Sequence, residues 1–464
     1  MFHTIAAVST PPGKGGVAVI RISGTDAAAV ADRIFCPMRG LPLSGRSPRT
    51  AVFGSILSPS TGEILDTGIA VLYRAPASFT GEDTAEISCH GGTAVTRAVL
   101  AAAFDAGAEP AGPGDFTRRA FINGKMTLSE AEAVGLLIDA DTESRRALAS
   151  GAVRGNITRA LTPIADRLTG VLSALYAAID YPEEDVGDEG EREISGVLEE
   201  SCREIGRLCS TYKAGSAIAE GIPTVIAGVP NSGKSSLYNA LLGREDAIVT
   251  DIPGTTRDIL SATADVGGVT LRLFDTAGIR DGSDQVEQIG VERAKSKLAE
   301  ASLLLFVTDA SAPLSEECRA LAQTLRTDAP GAAILAILNK SDEGCGLTAE
   351  DEALLTEVSD QRIPLSAKTG AGMDGLRSAV AKIAGTDRLN PAEDAILWDA
   401  RQMASLSRAQ AYLTEAREGL TAGDALDAVC TVCEAALSEI AGVDGRAVDD
   451  AIIDGIFARF CVGK

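Results

Sequence analysis

The chain has 464 residues, with 65 acidic against 42 basic side chains and a formal net charge of −23. Its length predicts about two to four domains. The charge excludes a protein that grips nucleic acid over a broad surface: any such contact must be local, or a partner must supply the cations.

Nine cysteines lie scattered without a pairing pattern. With no signal peptide and no long apolar span, they predict a reduced cytoplasmic chain. Strand and turn signals alternate up to Lys125. Gly16–Ser23, Gly68–Tyr73 and Ala85–Cys89 read as strands, Thr93–Ala106 has helical spacing, and Pro110–Gly114 reads as a loop. The segment predicts a small α+β domain. Arg21 and Glu86 interrupt two of the strands. Either they sit on a solvated face, or with Lys125 they line a pocket for a polar ligand.

From Met126 the pattern turns helical. Thr127-Leu-Ser-Glu130 is a capping box. One long helical region is expected from about Thr142 to Ala178, then an acidic linker from Tyr181 to Glu191, then helix again from Glu193 to Glu220. The linker reads as a solvated loop or a metal-binding tail. Beyond Gly385, helical spacing returns over Ala395–Gly419, Asp424–Ala441 and Asp449–Phe460. Cys430 and Cys433 fall within that second stretch, where thiols one turn apart read as helix packing rather than a metal site. Helical chain thus flanks an α/β segment on both sides, as an insertion would produce.

The inserted segment carries the chemistry. An apolar run, Thr224–Ala227, empties into Gly228-Val-Pro-Asn-Ser-Gly-Lys-Ser235, a phosphate loop, and Ser236 opens a helix. Asn231, Ser232, Gly233 and Ser236 belong to the cradle; Lys234 can reach terminal phosphates, and the Ser235 hydroxyl can take a place on Mg²⁺. Gly254-Thr255-Thr256-Arg257-Asp258 follows as a nucleotide-sensing loop, and Asp275-Thr276-Ala277-Gly278 ends a strand where a γ-phosphate contact is expected. Asn339-Lys340-Ser341-Asp342 places a carboxylate for the guanine edge, and burial of Asp342 would make that discrimination large. Ser366-Ala367-Lys368 supplies a backbone donor for the guanine oxygen. Together these motifs predict GTP binding. Ile279 stands where many GTPases carry a water-orienting glutamine, so the catalytic groups come from elsewhere; Arg280 opens the run of candidates, and Asn231 is a candidate ligand for a monovalent cation.

With Thr10-Pro-Pro-Gly-Lys-Gly-Gly, Phe79-Thr-Gly-Glu-Asp83, His90-Gly-Gly92, Asp251-Ile-Pro-Gly-Thr-Thr-Arg-Asp258 and the final Cys461-Val-Gly-Lys464, the chain resembles the MnmE (TrmE) family of tRNA-modification GTPases over essentially its whole length. Lys14 in the first glycine loop and Val462 near the end are small departures from the family pattern. The resemblance implies a multidomain α/β chain. Its parts are an N-terminal α+β folate-binding and dimerisation domain (1–125), a helical domain in two parts (126–221 and 386–464), and an inserted Ras-like P-loop GTPase domain (222–385). It implies nucleotide contacts that include Thr250, Asp251, Ile252, Pro253 and Gly254, and Mg²⁺ contacts at Ser235 and Thr256. Potassium ligands fall on Asn231, Thr250, Ile252 and Thr255, and a water-orienting acid on Glu287. A 5-formyl-tetrahydrofolate-type donor would meet Arg21, Glu86, Lys125 and Lys464. It further implies a homodimer working with the flavoprotein MnmG (GidA) on the wobble uridine of certain tRNAs, with Cys461 a possible functional thiol. The alternative class is a regulatory switch GTPase of ribosome assembly. The many acids after Gly385 disfavour it, since that class usually carries a basic appendage. A stand-alone folate enzyme would leave the GTPase without a purpose.

Overall fold

A computed structural model describes residues 3–181, 187–243, 261–274, 300–446, 448 and 450–463. The chain forms two compact units, Met1–Gly135 with Asp444–Lys464, and Leu136–Val443.

The first unit is built on a seven-stranded sheet. Its strands are β1 (Ile5–Val8), β2 (Val17–Ser23), β3 (Phe35–Pro37), β4 (Val52–Leu57), β5 (Ile64–Tyr73), β6 (Thr84–His90) and β7 (Glu109–Pro110), in the order β3-β4-β5-β6-β2-β1-β7. All neighbours are antiparallel except β1 and β7. Alternation fixes the faces. Ala18, Ile20 and Ile22 of β2 point into a core with α1 (Ala27–Ile34) and α2 (Thr93–Asp105), whereas Arg21 points to the opposite side. On that other side the cross-strand partners Phe53 and Ile69 are 56 % and 46 % exposed. After α3 (Asp115–Ile122), the capping box opens α4 (Leu128–Ile138): the Thr127 amide donates to Glu130 at 2.9 Å and the Glu130 amide to Thr127 Oγ1 at 3.2 Å.

In the second unit the expected long helical region is two helices, α5 (Glu143–Val153) and α6 (Asn156–Asp180), broken at Gly155 in the left-handed region. The helix α7 (Gly187–Ser210) begins inside the expected acidic linker, and α8 (Tyr212–Ala219) follows. A six-stranded sheet comes next: β8 (Ile222–Ala227), β9 (Ser261–Asp265), β10 (Thr270–Phe274), β11 (Leu303–Asp309), β12 (Ala333–Asn339) and β13 (Gln361–Pro364), in the order β13-β12-β11-β8-β10-β9. Only the β9–β10 pair is antiparallel. Strand β11 is buried residue after residue from Leu303 to Thr308, as a central parallel strand covered on both faces must be. The covering helices are α9 (Lys234–Leu242), α10 (Glu316–Asp328), α11 (Ala349–Val358) and α12 (Met373–Ala384). Helices α13 (Ala400–Ala422) and α14 (Leu426–Val443) complete a bundle with α6 and α7 whose core includes Leu168, Leu198, Leu413, Cys430 and Cys433.

A short hydrogen-bonded clasp joins the start of α5 to the β9–β10 hairpin. The Thr142 and Thr270 hydroxyls are 2.9 Å apart, the Ser144 amide donates to Asp265 Oδ2 at 3.1 Å, and Thr263 Oγ1 donates to Asp141 at 2.6 Å.

The last helix, α15 (Asp450–Phe457), belongs to the first unit, where Phe457 stacks near Phe121 and Phe460 and packs with Leu128 and Ala131. The tail then returns to the start of the chain. Val462 bridges Pro113, and Ser9 Oγ donates to the Gly463 carbonyl at 3.0 Å. Gly463 has φ +96° and lies so close to β1 that a Cβ would stand 2.1 Å from the Val8 carbonyl oxygen.

Candidate functional site

The phosphate loop follows β8 and ends at the first turn of α9, so its amides and the helix N-terminus face the same space. Gly233 is obligatory in this loop: it has φ +96°, and a Cβ would lie 2.0 Å from Asn339 Nδ2. That closeness has a purpose. Asn339, buried at the end of β12, donates to the Ser232 carbonyl at 2.9 Å and accepts from the Ala367 amide at 3.0 Å. One amide therefore ties the phosphate loop to the loop of Ser366-Ala367-Lys368. Lys234 Nζ donates to the Val229 carbonyl at 2.8 Å, which holds the ammonium over the loop.

Between these loops lies a cavity of about 650 Å³ lined by Gly233, Ser236, Asn339, Lys340, Asp342 and Lys368 among others. Lys340, at φ +63°, is fixed by an ion pair to Asp309 at the end of β11. Burial raises the Asp309 carboxyl, but bonds from Lys340 and Ser311 outweigh it and hold it below its ordinary value. Asp342 is exposed, contrary to the burial expected of it; a base seated in the cavity would have to supply the cover. The Ser366 hydroxyl, with Lys368 adding charge, holds the Asp342 carboxyl below its usual range, so it stays an acceptor. Ser235 and Asn231, which bracket Gly233 in the phosphate loop, are exposed.

Several expected site residues lie outside the described residues: Thr250, Asp251, Ile252, Pro253, Gly254, Thr255, Thr256, Asp275, Thr276, Ala277, Gly278, Arg280, Glu287 and Lys464. Sequence reading missed Asp309, whose signal was the apolar run 303–308 ending in an acid, and the cavity residues Asn239, Ala240, Gly243 and Glu343.

A second polar cluster occupies the first unit. Arg21 and Glu86 are register partners on β2 and β6 and form an ion pair at 2.8 Å, their side chains 16 % and 27 % exposed. They are therefore not a freely solvated pair. Phe79 and Phe116 lie 5.1 Å and 5.6 Å from the Arg21 guanidinium, and Tyr73 Oη donates to Glu86 at 3.5 Å. Lys125 is not seen paired with either; its ammonium donates to the Pro76 carbonyl at 2.9 Å, on the loop that carries Phe79. Cys461 is exposed beside the docked tail. Among the described residues no cluster of His, Cys, Asp and Glu could hold a metal, and no helix is long and apolar enough to cross a membrane.

Comparison with known proteins covers both units. Residues 4–125 match the family model for the GTP-binding protein TrmE N-terminus, and residues 128–461 match that of the MnmE helical domain. The tRNA modification GTPase MnmE of Symbiobacterium thermophilum is 41 % identical over 464 residues, covering 100 % of this chain and 99 % of that one. The Natranaerobius thermophilus protein of the same name is 37 % identical, covering 99 % of each. Among solved structures, Era from Aquifex aeolicus is 26 % identical over 41 % of this chain and 65 % of its own, with a TM-score of 0.28. On the strength of the two family models and these full-length relatives, the chain belongs to the MnmE family of tRNA modification GTPases.

Proposed function

We propose that GTP hydrolysis by this chain drives modification of tRNA at carbon 5 of the wobble uridine. In this reading it acts as a cytoplasmic homodimer together with the flavoprotein MnmG, adding an aminomethyl or carboxymethylaminomethyl group. The observation that carries the reading is the nucleotide cavity, closed at one end by the phosphate loop and at the other by Asp342 and Ser366–Lys368, in a chain similar to MnmE proteins along its entire length.

In this reading the residues divide the work. The phosphate-loop amides and Lys234 bind and orient the phosphates, and Asp342 with the Ala367 amide selects guanine. The hydroxyl of Ser235 is a hard oxygen donor of the kind Mg²⁺ takes, with Thr256 its expected partner. Asn231 offers an oxygen suited to K⁺, with Thr250, Ile252 and Thr255 completing the set. Bound there, K⁺ would add positive charge beside the phosphates. Glu287 orients water, and Arg280 is the second candidate for the catalytic step. The Arg21–Glu86 pair, ringed by Phe79, Phe116 and Tyr73, suits a flat polar heterocycle with an anionic tail. Formyl-tetrahydrofolate has that chemistry, with Lys125 and Lys464 as further cations; the Cys461 thiol would serve the modification chemistry.

Two measurements test the proposal. Cells lacking the chain should lose the modified wobble nucleoside when tRNA digests are read by mass spectrometry; unchanged nucleosides would overturn it. Turnover of GTP should rise when Na⁺ is replaced by K⁺, and equal rates in the two salts would remove the role given to Asn231.

A further inference from the structure

A chain with a net charge of −23 that works on tRNA must offer the polyanion a local cationic surface or borrow one. The first unit carries such a surface. From Arg33 to Gly62 there are four arginines, Arg33, Arg39, Arg46 and Arg49, and not one Asp or Glu. Building on the proposed tRNA function, we propose that the segment between β3 and β4, carrying Arg39, Arg46 and Arg49 with Arg33 beside it, docks the phosphate backbone of tRNA.

Its position suits the task. Strand β3 is an edge of the seven-stranded sheet, and the segment that leaves it is exposed at nearly every residue. Three of the four guanidinium groups, those of Arg33, Arg46 and Arg49, bond backbone carbonyls instead of carboxylates. Arg46 donates to the Leu41 carbonyl at 2.7 Å and also to the Arg39 carbonyl, which makes those two arginines neighbours. Arg33 donates to the Ala106 carbonyl at 2.6 Å. Among the described residues none of the four forms an ion pair. Of the acids close by, Asp83 is neutralised by Arg74 at 2.6 Å, whereas Asp32, next to Arg33, accepts only the neutral Ser44 amide at 3.3 Å and keeps its charge. Four guanidinium groups without an ion pair stand against the single charge of Asp32, a net positive patch partly fixed in place, which fits a polyanion.

Arg49 adds an independent sign. It sits at φ +61°, a conformation that favours glycine, and its amide is pinned to the Leu72 carbonyl at 2.8 Å. This chain thus carries a cationic side chain at a backbone position where glycine would relieve strain.

The test uses the full-length chain and the exposed pair Arg39→Gln/Arg49→Gln. Fluorescence anisotropy with a labelled tRNA transcript, between about 50 and about 200 mM KCl, reads the slope of log K against log salt. The double variant should bind more weakly and its slope should be shallower by about 2, near 0.9 for each phosphate no longer neutralised. GTP turnover without tRNA should be unchanged. An unaltered affinity and slope, or a parent chain that binds no tRNA, overturns the proposal. So does a double variant that binds tRNA as the parent does but loses a poly-glutamate peptide, which would make the patch a site for an acidic protein. The nucleoside analysis of cells lacking the chain stands apart: it reports on the modification function whatever the variant does, so failure of one reading is distinguishable from failure of the other.

Discussion

At the scale of single residues, Asn339 carries more of the site than any charged group. Its amide spans the phosphate loop and the Ser366–Lys368 loop, so the two ends of the cavity cannot drift apart without breaking a buried bond. Asp342 does a different task and can be altered without disturbing that frame. Asp342→Asn should lower kcat/KM for GTP by about a hundredfold or more and raise it for xanthosine triphosphate, whose edge accepts from an amide. A nucleotide-competition assay with retained guanine preference would show that Asp342 does not read the base. The thiols divide by environment. Burial pushes Cys89, Cys318 and Cys433 up to about 11, with Asp66, Asp351 and Cys430 adding to the respective shifts. Cys36, Cys345 and Cys461 are exposed. Iodoacetamide at about pH 8 should therefore label those three first, and peptide mass mapping should find the buried three modified only on unfolding.

At the scale of elements, much was legible. The strand, loop and helix around Gly228–Ser235 follow from an apolar run meeting a glycine pattern, and the Thr127–Glu130 box from spacing alone. Both are local signals. What was not legible was non-local. Whether Arg21 faced solvent or a pocket depended on its partner Glu86, 65 residues away, and no period reveals a register over that distance. The short strands β1, β3, β4 and β7 gave little alternation to count. The break at Gly155 was hidden by helical spacing on both sides of it. Helix periodicity likewise located α15 but could not say what it packs on; the glycine of the terminal Cys-Val-Gly-Lys proves to be a docking residue against Val8. The start of α11 offers a stability test. Asp351 is fully buried. Burial raises its carboxyl, yet bonds from Thr348, the Leu314 amide and Arg319 outweigh that and leave it below its usual value. Such a depressed carboxylate contributes stability above its unfolded pKa and loses it as acid titrates it through its lower folded value. Asp351→Ala should remove a cap and strand an arginine, lowering stability by about 2 to 3 kcal/mol in urea unfolding at neutral pH. The loss should shrink as the pH approaches that folded value.

At the scale of the whole molecule, the proposed homodimer has a physical motive in the first unit, where Phe53 and Ile69 stand side by side on an open sheet face. Ile69→Asp should shift the sedimenting species toward half the mass while leaving the far-UV spectrum intact; an unchanged mass would place the pairing surface elsewhere. The clasp from α5 to the β9–β10 hairpin bears on how nucleotide chemistry could be felt at a distance. That hairpin is the stretch between the two motifs proposed to sense the nucleotide, and it is fastened to the start of α5 by three hydrogen bonds. At about 1 kcal/mol each, they could be broken together for a roughly hundredfold shift in an equilibrium. A hairpin shift that left the three bonds intact would carry the start of α5 with it, and a shift that broke them would not. If the hairpin moves with the nucleotide, a joint of that strength would act as a torque limiter, passing small strokes and declutching under large ones.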